Sequence, residues 1–259
     1  MNNFFEINLE KTAKNIEEFI RKEVLLANFS DVVIGVSGGV DSALSATLAV
    51  RALGASHVHV CMLPYGQLNQ EGVIDANDLI QTLKVPQQNI HTINIQPSVD
   101  TLLNQLRDIT DIRKGNIMAR MRMIYLFDLA KKTNGLVLGT ENQSEHLLGY
   151  FTRFGDEASD IEPIRSLYKT HVWELAKYVG VPGSIILKAP TAGLWSEQTD
   201  EKELGFSYRD ADIVLYNFFE KKLPESEIEK LGVSKETITR VLQRVKENNF
   251  KHHLPKIFS

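Results

Sequence analysis

The sequence predicts an α/β fold: a doubly wound parallel sheet of Rossmann-like type with additional C-terminal helices. Three observations predict it. Short runs rich in β-branched residues recur without polar alternation, as strands buried on both faces require. Segments of helical period separate these runs. A glycine-rich turn follows the first run at once, where the carboxyl edge of such a sheet takes its ligands.

Leu9, Ala13, Ile16, Phe19, Ile20 and Val24 repeat at three- and four-residue spacing, so residues 8–27 read as an amphipathic helix. Val32–Val36 is a short buried strand, and Ala43–Ala52 a helix ended by Gly54. His57–Leu63 is a second strand, stopped by Pro64 and Gly66; Gln70–Leu83 is helical. Ile90–Ile95 gives a third strand, Asn116–Lys132 a helix and Leu136–Leu138 a fourth strand. This alternation implies right-handed crossovers and a parallel sheet covered on both faces. Residues 140–168 are polar and glycine-rich, and helical patterns return at His171–Val179, Tyr208–Glu220, Ser226–Leu231 and Lys235–Glu247. The expectation is one domain over residues 1–259, with an α/β core at about 30–190 and a helical C-terminal part at about 205–259.

The 259 residues carry 29 Lys plus Arg against 33 Asp plus Glu, a net charge of −4. Such a balance gives no basis for bulk nucleic-acid binding or for an anionic membrane surface. No apolar run approaches the ~18 residues that cross a bilayer. The first residues lack a basic stretch followed by an apolar one, so no signal peptide is expected. Cys61 is the single cysteine and lies in an apolar run, as a buried small hydrophobe would. A chain without an internal disulfide fits a reducing compartment, and the cytoplasm is expected. His57 and His59 share a strand face, but no third ligand stands near them in the sequence.

Gly35-Val36-Ser37-Gly38-Gly39-Val40-Asp41-Ser42 follows the first strand. Its glycines let a ligand approach the backbone, and the next helix offers free N–H groups to an anion. Asp41 beside a phosphate is repulsive unless a cation intervenes, which points to Mg²⁺. The plainer reading is a strand-to-helix turn capped by Asp41. The run is neither a Walker A loop nor a Gly-x-Gly-x-x-Gly fingerprint.

Ser37–Ser42 resembles the pyrophosphate loop of the adenine-nucleotide α-hydrolases, which cleave ATP between the α and β phosphates. Further blocks follow in order: Gly115–Arg122, Gly139–Glu145, Gly149–Asp160, Glu162-Pro-Ile, Leu167–Lys169, Lys188–Trp195 and Gln198–Gly205. Together they resemble the ammonia-dependent NAD synthetases over residues 10–255. The resemblance implies a ligase that amidates deamido-NAD with ammonia, consuming ATP and releasing NAD, AMP and pyrophosphate through an adenylated carboxylate. It places ATP on Gly35–Ser42, Thr140, Lys169 and Thr191, and Mg²⁺ on Asp41 and Glu145. It places deamido-NAD against Arg120, Arg153, Asp160, Phe250 and Lys251. Asp156 is the candidate for steering or deprotonating ammonium, and Lys169 is its catalytic companion.

The residues themselves lend support. Asp41 and Glu145 both follow parallel strands, so they can meet at one edge and share a cation. Lys169 and Arg153 bring positive charge to phosphate-bearing ligands. Tyr150 and Phe151 offer flat surfaces to a pyridine ring. Two positions depart from the family: Met62 stands where many members have a basic residue, and Phe250 where many have histidine. The chain has neither the length nor a spare cysteine for a glutaminase domain, so ammonia is the expected nitrogen source. Residues 191–207, with Gly193 and Gly205 and little periodicity, are either a lid or an ordered surface loop. The helix Asn116–Lys132 is apolar around most of its circumference, which implies burial in the core or against a second copy. The resemblance implies a homodimer with the dinucleotide at the boundary. The competing readings are another ATP pyrophosphatase, such as a tRNA thiolase or a GMP synthetase core, and a non-catalytic nucleotide-binding regulator.

Overall fold

The computed structural model describes residues 6–195 and 198–253. Helix α1 (Leu9–Leu26) precedes strand β1 (Asp31–Gly35), then α2 (Val40–Leu53), β2 (Val58–Met62), α3 (Gln70–Thr82) and β3 (Ile90–Thr92). Helices α4 (Gln96–Leu103) and α5 (Asp111–Thr133) lead to β4 (Gly135–Leu138) and the short α6 (Gln143–Leu148). The remainder is helical: α7 (Lys169–Val179), α8 (Gly183–Leu187), α9 (Asp200–Leu204), α10 (Tyr208–Leu215), α11 (Glu225–Glu229) and α12 (Lys235–Asn248).

The strands form one parallel sheet in the order β3-β2-β1-β4, with Val32 opposite both Val58 and Leu136. Winding runs outward from β1 in both directions, which places a topological switch between β1 and β4. Strand β1 shows why its residues do not alternate. Val32 and Ile34 face a core built with α1, α2, α3 and α7, while Val33 faces another with Cys61, Val99, Met118 and Leu129. A third apolar cluster joins α10, α11 and α12 to Leu148 and Tyr168, with Trp173 of α7 packed against both it and the first.

The structure departs from the sequence expectations at several boundaries. Strand β3 stops at Thr92, opposite the end of β2 at Met62, and α4, a helix that periodicity does not reveal, follows at Gln96. Helix α2 starts at Val40, so Asp41 and Ser42 lie in its first turn rather than in the loop. Helix α5 starts at Asp111, where the Thr110 hydroxyl accepts from Arg113 N–H. Within one chain α5 is not buried on nearly all sides: Ile124 is 52% exposed and Ile112 63%. Of the segment 191–207, Ser196 and Glu197 lie outside the described residues, as do Leu254 and Pro255; Asp200–Leu204 is helical.

Candidate active site

The carboxyl ends of β1, β2 and β4 open into a cavity of about 450 Å³. Its floor is the whole run Gly35–Ser42. The loop is shaped by its own hydroxyls: Gly39 N–H donates to Ser37 Oγ at 3.2 Å, and Ser42 Oγ donates to Gly39 O at 3.0 Å. Gly38 has φ +82°, and a Cβ there would stand 2.2 Å from the Gly72 carbonyl oxygen. Gly72 lies in the first turn of α3, so two glycines allow helix and loop to touch.

At the first turn of α2, Asp41 meets two residues that are distant in the sequence. Asn142 Nδ2 donates to Asp41 Oδ1 at 2.8 Å. Lys169 Nζ donates to Asp41 Oδ2 at 2.5 Å and to Glu145 Oε1 at 2.9 Å. Lys169 is 2% exposed. Burial opposes its charge, but the two carboxylates outweigh burial and hold the ammonium above its ordinary range. Glu145 moves up as well: desolvation and the charge of Asp41 favour its protonated form more than Lys169 opposes it. One ammonium between two carboxylates leaves a surplus negative charge, which explains why both shifts coexist.

A second polar group closes this end. Tyr208 Oη donates to Asp200 Oδ2 at 3.1 Å, and its ring lies 5.0 Å from Lys169 Nζ. Tyr150 Oη lies 3.2 Å from Asp200 Oδ1 and 2.9 Å from Glu203 Oε2. Asp200 also accepts from Ala192 N–H at 3.1 Å, tying Ala192 to the start of α9. Burial pushes the Asp200 carboxyl up.

The opposite wall holds Asp156, whose Oδ1 accepts from Thr152 N–H at 2.9 Å and whose carboxyl burial pushes up. Arg122 lines the same wall and donates through Nε to Leu63 O at 3.1 Å. Lys251 lines it too, with Nζ donating to the carbonyls of Gly149 at 2.7 Å and Phe151 at 2.9 Å. Thr140 and Thr191 border the cavity as well.

Four sequence-assigned residues lie outside the cavity of the single chain. Arg120 is exposed and donates to Arg153 O at 3.1 Å. Arg153 covers the Phe154 ring and donates to His253 O. Phe250 is 60% exposed. Asp160 accepts from Val137 N–H at 2.8 Å on the edge of β4. Sequence reasoning missed Arg122, Asn142, Asp200 and Glu203. All four stand inside blocks that carry the family resemblance, Gly115–Arg122, Gly139–Glu145 and Gln198–Gly205, and that was the signal available.

The chain's residues 12–255 match the family model NAD synthase. The chain belongs to the NAD synthase family. It is 39% identical over 255 residues to the NH(3)-dependent NAD(+) synthetase of Fusobacterium nucleatum, covering 98% of each chain. Among solved structures it resembles the NMN synthetase of Francisella tularensis, at TM-score 0.85 and 34% identity, covering 97% of this chain and 99% of that one. It also resembles the NH3-dependent NAD synthetase of Campylobacter jejuni, at TM-score 0.82 and 33% identity, covering 98% and 100%. Members of the NAD synthase family are amide-forming ligases.

Whether the site suits Mg²⁺ turns on its donors. Among the described residues, no three His, Cys, Asp or Glu side chains cluster as a metal cage. Asp41 and Glu145 are instead two hard oxygen donors, from different elements, already sharing one cationic group. That set fits an ion completed by phosphate oxygens and water.

Proposed function

We propose that this chain amidates deamido-NAD with ammonia at the expense of ATP, giving NAD, AMP and pyrophosphate through an adenylated carboxylate. The observation that carries the reading is Lys169, buried between Asp41 and Glu145 beside a glycine loop that opens a helix. An ATP-cleaving site needs fixed positive charge beside a phosphate cradle and carboxylates for a metal ion.

In this reading the Gly38 N–H and the N-terminus of α2 receive the phosphate chain, with Thr140, Thr191 and Lys169 around it. Asp41 and Glu145 would hold Mg²⁺, which when bound supplies positive charge against phosphate oxygens. The substrate carboxylate oxygen attacks the α-phosphorus, and the bond to pyrophosphate breaks. Ammonia then attacks the activated carbonyl carbon, and the bond to AMP breaks. Asp156 takes the proton that ammonium must lose, since burial raises its carboxyl toward a useful base. Deamido-NAD lies against Arg120, Arg153, Asp160, Phe250 and Lys251 at a homodimer boundary, which would bring Arg120 and Phe250 into play from outside the single-chain cavity. The exposed Ile124 on α5 supports that boundary. Among the described residues no helix is long and apolar enough to cross a membrane. Cys61, buried and free, suits the cytoplasm.

The experiment is incubation with ATP, Mg²⁺, ammonium and either deamido-NAD or nicotinate mononucleotide, with mass detection of the amide product. NAD formation supports the reading. The mononucleotide arm answers the likeness to an NMN synthetase: preferential amidation there refutes the dinucleotide assignment and leaves the ATP chemistry standing. ATP turnover on neither acid refutes both, and glutamine supporting the rate as well as ammonium refutes direct use of ammonia.

A further inference from the structure

Lys169 opens α7, and Tyr168 ahead of it supplies no side-chain cap. The first N–H groups of a helix have no intrahelical partner and must find acceptors elsewhere. Here the acceptors come from distant elements. Lys169 N–H donates to Ser144 Oγ of α6 at 2.9 Å. Thr170 N–H donates to Asp212 Oδ2 of α10 at 2.8 Å. Ser144 Oγ donates in turn to Asp212 Oδ1 at 2.5 Å. Ser144 and Asp212 are both 0% exposed, and neither lines the cavity.

Helix α10 reaches Lys169 a second time. Tyr208 precedes Asp212 by four residues, so both side chains stand on one face. Asp212 serves the backbone at the start of α7, and the Tyr208 ring lies beside the ammonium. Ser144 also directly precedes Glu145, the other acceptor of Lys169 Nζ. A buried carboxylate thus ties the start of α7 to α6 and α10 beside the ammonium. Burial alone does not explain Asp212, because an apolar side chain would fill its place without desolvating a charge.

We infer that Asp212 is a positioning residue: through Ser144 and the Thr170 N–H it fixes the start of α7, so that Lys169 Nζ stands between Asp41 and Glu145. The inference rests on the reading of Lys169 as the cation that serves the ATP phosphates. Asp212 touches no ligand space, so its effect on turnover passes through Lys169. The negative end it presents also matches the positive pole of α7, which adds to the hold.

A double-mutant cycle on the full-length chain separates positioning from packing. Asp212→Ala removes both acceptors, whereas Asp212→Asn keeps an acceptor for Thr170 N–H and a donor for Ser144 and is the conservative control. Turnover is measured for Asp212→Ala, Asp212→Asn, Lys169→Met and the pair Asp212→Ala with Lys169→Met, with KM for ATP and for deamido-NAD. The expected result is a loss of about tenfold in kcat for Asp212→Ala, largely restored in Asp212→Asn, with KM for deamido-NAD unchanged. In the Lys169→Met background Asp212→Ala adds less than about twofold. An equal loss in both backgrounds overturns the inference. Ser144→Ala breaks the chain one link nearer Lys169 and must show the same non-additivity; an additive loss there overturns it equally. Should Lys169→Met alone keep full turnover, the role of Lys169 in the proposed function is what fails, and Asp212 loses its object.

Discussion

Gly38→Ala tests the phosphate loop most sharply, because the structure gives both its strain and its displacement. The residue has φ +82°, a conformation costing an L side chain about 1–2 kcal/mol. The new Cβ would stand 2.2 Å from the Gly72 oxygen and 2.7 Å from its carbonyl carbon and Cα, all backbone atoms that cannot swing aside. Ordinary contact begins near 3.4 Å, so the loop must retreat from α3 by roughly 1 Å. Overpacking of this kind adds about 1–3 kcal/mol, giving a total of roughly 2–5 kcal/mol in urea unfolding. A shift of about 1 Å in a group that orients a reacting phosphate is worth about a hundredfold in rate. Gly180→Ala is the matched control: φ is +89°, yet nothing lies within 4 Å of the added Cβ. It should cost about 1–2 kcal/mol and leave turnover normal. Both variants are compared by urea titration and by initial rates of amide formation below their melting range. Gly38→Ala within twofold of the parent rate refutes the close fit of loop to α3 as a condition of activity.

Burial pushes the Glu162 carboxyl from 4.5 up to about 7. The folded chain thus holds a proton that the unfolded chain releases, so the penalty is complete above pH 7 and gone below about pH 4.5, and stability falls by roughly 3 kcal/mol as pH rises between them. Urea midpoints at pH 5 and pH 8 should diverge for the parent and less so for Glu162→Gln, the remainder coming from other carboxyls that burial raises, such as Asp156 and Asp200; the same divergence in both excludes Glu162 as a source. Sedimentation should give a species near twice the 29.2 kDa chain mass, and Ile124→Glu should halve it, whereas a parent monomer at micromolar concentration ends the dimer proposal. Lys251→Met strips donors from the Gly149 and Phe151 carbonyls, costing about 1–3 kcal/mol and exposing residues 249–253 to proteolysis; an unchanged cleavage pattern argues that the C-terminal segment is held by other contacts.

The parts of this molecule that sequence made legible are those whose cause is local. The unbroken apolar run Val32-Val33-Ile34 signals a strand buried on both faces, and the strand sits between two cores. The glycines and serines of Gly35–Ser42 signal a cradle because strand, turn and helix start are contiguous. What stayed hidden depends on distance. Lys169 and Asp41 are 128 residues apart, and nothing at either position announces that one ammonium answers two carboxylates. Helix α6 carries Glu145 but spans only six residues, too few for a period to show. Strand β4 is an edge strand, whose outward N–H groups need acceptors. Asp160 supplies one to Val137, so an acidic residue in a loop of substrate-like composition serves the sheet within this chain. The same reasoning shows why the C-terminal helices matter to a site drawn almost wholly on the α/β half. Tyr208 and Asp212 have ordinary helical spacing and no motif of their own. Only the fold puts them against the start of α7, where a cap missing from the local sequence is supplied from α10.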